Sequence, residues 1–150
     1  GPTAIINCIK WSGYRCSIRS SHTFISRLCN TTREEGTDDV DFGRVLRRLV
    51  AGEGKSGKVS VWKRDRVLSK QILEHVKNPD CVAVVLYYFS HNEGHYALVT
   101  DVTDQGVVCV NALADETISI VEKKQFTRYL SFRRKAKKDF PRVWFLRRKV

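Results

Sequence analysis

Residues Cys81 to Phe89 read CVAVVLYYF, an unbroken run of apolar, β-branched and aromatic side chains. A strand with one wet face alternates apolar and polar residues, whereas an unbroken run this short belongs to a strand buried on both faces. The run is far below the ~20 residues needed to cross a bilayer as a helix. Pro79 stands just before it and ends whatever helix precedes. The chain must therefore build a sheet and supply enough further structure to cover both of its sides.

The pattern on either side of this run differs in kind. Towards the N-terminus, Ala4, Ile5, Ile6 and Ile9 recur at helical spacing, with Pro2 allowed in the first turn and Ser12-Gly13 closing the helix. A second helix is predicted from Ser17 to about Asn30, burying Ile18, Phe24, Ile25 and Leu28. Gly36-Thr37-Asp38-Asp39 provides a turn and cap for a third, with Val45, Leu46, Leu49 and Val50 as its apolar stripe. After a loop at Gly52 to Lys58 and a short strand at Val59 to Trp62, a fourth helix carries Val67, Leu68, Ile72, Leu73 and Val76.

Towards the C-terminus strands dominate. His95 to Val102 and Val107 to Asn111 flank the turn Asp104-Gln105-Gly106 and form a hairpin. Ile118 to Val121 is a further strand, Glu122 to Leu130 a short helix, and Val143 to Leu146 a last, edge strand. Helices followed by an antiparallel sheet define an α+β domain, its helical half at about 1–78 and its sheet half at about 79–150. At 150 residues, such a chain is one domain with a core of its own.

Composition excludes other classes. With 42% hydrophobic and 29% charged residues the chain is neither disordered nor a coiled coil. It contains no methionine, so a native start lies upstream of Gly1. The five cysteines (Cys8, Cys16, Cys29, Cys81, Cys109) show no metal-ligand spacing, which predicts free thiols, no bound metal or cofactor, and a reducing, cytoplasmic setting. Gly54-Lys55-Ser56 lacks the earlier glycine of a phosphate loop, because Leu49 stands there. The net charge of +11 is concentrated between Lys123 and Lys149, a basic stretch able to meet nucleic acid or an acidic protein, or simply to be solvated.

The sharpest chemical signal is His95 within Gly94-His95-Tyr96-Ala97-Leu98-Val99. The predicted hairpin carries the start of one strand to the end of the other, making Asn111 its neighbour. An imidazole held by an amide is the orienting half of a cysteine-protease triad, in which the histidine exchanges a proton with a thiol and the third residue fixes its tautomer.

On these motifs the chain resembles the papain-like cysteine peptidases that process double-glycine leader peptides, and their stand-alone relatives. Gly1-Pro2-Thr3-Ala4 is similar to the segment that follows the nucleophile in that family, and Gly94 to Val99 to its histidine motif. Asn111 stands where the family has Asp or Asn. The resemblance implies a papain-like fold, thiol-dependent hydrolysis of peptide or protein substrates, and His95 and Asn111 as catalytic residues. It also implies that the nucleophile belongs immediately before Gly1 and an oxyanion-hole glutamine further upstream, so that the chain as it stands is inactive. An alternative keeps the enzyme whole: Asn7-Cys8 is similar to the Asn-Cys pair of viral leader-type papain-like proteases, with Cys8 as nucleophile. Another uses the scaffold without chemistry, as a basic binding module whose Lys123 to Lys149 face meets nucleic acid or an acidic protein.

Overall fold

The computed structural model describes residues 1–13, 18–33, 36–51, 59–88, 94–110, 118–131 and 141–149, leaving out the side chains at 18–21 and 88. In chain order the elements are α1 (Pro2–Trp11), α2 (Ile18–Leu28), α3 (Asp39–Leu46) running into a π-type turn at Arg47–Ala51, β1 (Val59–Asp65), and α4 (Ser69–Val76). β2 (Cys81–Tyr88), β3 (Gly94–Thr103), β4 (Gly106–Val110), β5 (Ile118–Val121), α5 (Lys123–Ser131) and β6 (Arg142–Arg148) follow. The architecture is α+β, as the change in periodicity predicts. The elements gather into two units, one of residues 1–61 and 147–150, the other of residues 62–146.

In the first unit, α1 starts on Gly1 as its cap with Pro2 in its first turn, where the missing N–H costs no helical bond. The Thr37 side chain lies so close to Gly1 that an added Cβ would collide with it. Of the predicted stripe Ala4, Ile5 and Ile6 are buried and Ile9 is half-buried, with Cys8 buried beside them. Asp38 caps α3 by accepting from the Val40 N–H at 2.8 Å, and Phe42, Val45 and Leu46 fill the core behind it. On α2 the expected face is corrected: Ile25 and Cys29 are buried, but Phe24 is 57% exposed. The stripe continues from Ile25 to Cys29, four residues on, and this turns Phe24 outward.

The sheet, most of whose residues belong to the second unit, runs in the order β1-β6-β2-β3-β4-β5. β2, β3, β4 and β5 are successively antiparallel. The odd-numbered residues Ala83, Val85 and Tyr87 pack with Ala97, Val99, Val107 and Cys109 beneath Ile72 and Val76 of α4 and Phe126 of α5. Val82, Val84 and Leu86 are equally buried, which accounts for the unbroken run. The hairpin turns at 104–105, and Gly106, at φ +146°, sits where a Cβ would strike the Val121 carbonyl of β5. β6 departs from expectation. It lies inside the sheet, and Val143, Trp144, Phe145 and Leu146 are all buried, because its apolar side chains occupy both faces. No described helix is long and apolar enough to cross a membrane.

Candidate active site

His95 is the second residue of β3, directly opposite Tyr87 on β2. Its position parity is that of Ala97 and Val99, so it belongs to the α4/α5 side of the sheet but lies beyond the close-packed core, half-buried, with exposed Gly94 before it. The imidazole meets the Tyr87 ring edge-on, with centroids 5.8 Å apart and planes at 65°. Tyr87 in turn stacks on Tyr129 of α5 at 4.9 Å and 8°. Burial, and then the neighbouring Tyr129 and Cys109, push the Tyr87 phenol above its ordinary pKa, so it stays neutral through the range in which an imidazole titrates. A half-buried histidine keeps some access to solvent, so it can exchange protons with a reactant while its position remains fixed by the sheet.

Asn111, the predicted partner, lies outside the described residues, as does Cys16. β4 is described to Val110, which pairs with Leu98. Cys8 is in the middle of α1 and fully buried, and that desolvation raises its thiol pKa steeply. Such a thiol resists becoming a thiolate, the opposite of what a nucleophile needs. Burial also pushes Cys109 up to about 12. Burial raises the Cys29 thiol as well, with Arg44 pulling the other way. The four described cysteines, Cys8, Cys29, Cys81 and Cys109, are all buried, and none of them forms a disulfide.

The aromatic pair beside His95 was not foreseen. Nothing local in Tyr87 or Tyr129 marks them, because the β2–β3 register and the seating of α5 bring them to the imidazole. A second unforeseen histidine is structural: His75 Nε2 lies 3.1 Å from both the Val82 and Leu146 carbonyl oxygens. With two acceptors before it, that nitrogen must carry the hydrogen. Among the described residues no group of three or more His, Cys, Asp or Glu side chains is placed to hold a metal.

The basic stretch is partly engaged inside the protein. Arg142 pairs with Asp65 at 3.3 Å, and Arg148 lies over the Trp11 ring, 4.8 Å from its centroid. Lys123, Lys124 and Arg128 are exposed on α5, and residues 132–140 lie outside the description.

No protein-family profile matches the chain, and no curated protein matches it in sequence. In structure it is similar to the peptidase domain of Streptococcus ComA, a bi-functional ABC transporter involved in a quorum-sensing pathway. The TM-score is 0.65 at 11% identity, over 99% of this chain and 90% of that one. The fold is therefore that of a papain-like peptidase domain.

Proposed function

We propose that the chain is a papain-like cysteine peptidase domain acting on peptide or protein substrates, with His95 as the proton-transfer residue. The observation that carries this reading is a half-buried histidine near the start of β3, beside exposed Gly94, in a fold that matches a peptidase domain along nearly its whole length. The nucleophilic thiol belongs to a residue immediately before Gly1, at the N-terminus of α1. There the helix dipole and free backbone N–H groups favour a thiolate and can hold the oxyanion of the tetrahedral intermediate. The glycine requirement at Gly1, imposed by Thr37, suits a chain that passes closely through this point.

Asn111 serves as the orienting partner. In turnover His95 takes the proton of the attacking thiol and returns it to the leaving amine, and the thioester is then hydrolysed. A neutral amide stabilises the imidazolium less than a carboxylate would, so the ion pair forms over a narrower pH range. The buried free thiols suit a reducing compartment.

The test is the reactivity of a cysteine placed immediately before Gly1. Its alkylation by iodoacetamide is expected to follow a depressed pKa, well below the ordinary ~8.5 of a free thiol. His95→Ala should restore the ordinary profile. An unperturbed profile in the parent, or one indifferent to His95→Ala, would overturn the assignment. Peptide hydrolysis itself is a weaker readout, because a missing oxyanion donor alone lowers turnover by roughly 10² to 10³.

A further inference from the structure

The structure assigns Tyr87 a role as positioning residue for His95, with Tyr129 of α5 locking Tyr87 in place. This inference rests on the reading of His95 as the proton-transfer residue. A proton-transfer residue is effective only while its ring nitrogens point the right way. The Tyr87 ring bounds the imidazole from the neighbouring strand: it is the direct cross-strand partner of His95 and meets it edge-on, with ring centroids 5.8 Å apart. Offset and edge-on aromatic contacts are directional, so they set the plane of a ring as well as its distance.

Tyr87 can serve as a fixed wall because it cannot swing. It is 3% exposed, and Tyr129 lies flat against it, with planes 8° apart. Tyr129 is held by a helix that is itself anchored, through buried Phe126 and the Thr127 hydroxyl 3.0 Å from that of Ser69 on α4. The orientation of the imidazole is thereby transmitted from α5 through two rings.

The test reads the ring nitrogens directly. Two-bond ¹H–¹⁵N NMR spectra of the histidine rings across a pH titration are compared for the parent, Tyr87→Phe, Tyr87→Leu and Tyr129→Leu. In the parent and Tyr87→Phe, His95 should show one dominant neutral tautomer. In Tyr87→Leu the two ring nitrogen shifts should converge toward tautomer averaging, with a smaller change in Tyr129→Leu. His75, held by two carbonyls in the same unit, reports whether the fold is retained. If Tyr87→Leu disturbs His75 as well, Tyr129→Leu, which removes only the stacking ring, decides. An unchanged His95 spectrum with His75 intact would overturn the inference, as would equal effects of Tyr87→Phe and Tyr87→Leu, which would implicate the hydroxyl. With cysteine placed before Gly1, Tyr87→Leu should also slow alkylation by about tenfold. If His95→Ala leaves that alkylation unchanged while Tyr87→Leu still alters the His95 spectrum, the peptidase reading fails and the positioning role stands.

Discussion

The two candidate places for a nucleophile make opposite demands on Cys8, and the pH dependence of stability separates them. Desolvation in the core raises the Cys8 thiol far above its ordinary 9.0. The folded chain then keeps a proton that the unfolded chain releases at alkaline pH. The stability conferred is fully present below pH 9 and is lost as pH rises towards the folded pKa. The slope approaches about −1.4 kcal/mol per pH unit for each such thiol, so between pH 9 and 11 Cys8 alone costs about 2 kcal/mol. Cys109, up to about 12, adds a similar loss. Lysines and tyrosines titrate in the same range, so the informative quantity is the difference between the parent and Cys8→Ala. Guanidinium unfolding followed by Trp fluorescence, under reducing conditions at pH 8 to 11, supplies it. Cys8→Ala should be less stable than the parent at pH 8 because of the cavity, and the gap should shrink by about 2 kcal/mol by pH 11. A catalytic Cys8 would have a depressed pKa, and the two proteins would then run parallel above pH 9 and diverge below it. Parallel curves from pH 9 to 11 would refute the buried-thiol argument and revive Cys8 as nucleophile.

Other perturbations probe the sheet that carries His95. Gly106→Ala should destabilise the hairpin by about 1–3 kcal/mol, because a Cβ at φ +146° meets the Val121 carbonyl; an unchanged thermal midpoint would contradict that packing. His75→Phe retains the aromatic contacts with Trp62 and Phe145 but removes the donor shared by the Val82 and Leu146 carbonyls. It should cost about 1–3 kcal/mol in denaturant unfolding, and a neutral result would show that water or backbone replaces the donor. Ser119→Ala should be neutral or slightly stabilising in the same assay, since the Ser119 hydroxyl is buried without a hydrogen-bond partner among the described residues. A loss above about 1 kcal/mol would show that the hydroxyl is satisfied after all.

What could be read from the sequence follows from how local each determinant is. The α1 stripe and the turn before Gly106 are legible because periodicity and turn chemistry act over a few residues. Phe24 was misplaced within such a stripe because Cys29, small and apolar, extends it by one position and rotates the buried face. Val143 to Leu146, expected at an edge, carries in its four apolar residues the same two-faced signal as Cys81 to Phe89, and it lies inside the sheet accordingly. His95 stood out because a histidine beside glycine at the head of an apolar strand is locally unusual. Its aromatic neighbours were hidden because one long-range quantity, the register of β2 on β3, selects Tyr87. A slip of one residue would turn every side chain of β2 to the other face and set a different residue against the imidazole. Burial on both faces leaves both sides of β2 apolar, so hydropathy alone barely distinguishes the two registers. The packing of Val85 on Ala97 and of Tyr129 on Tyr87 supplies the discrimination instead. The contacts that select the register of the core are thus the same contacts that orient the candidate catalytic ring, and a core substitution that loosens α5 should register first at His95.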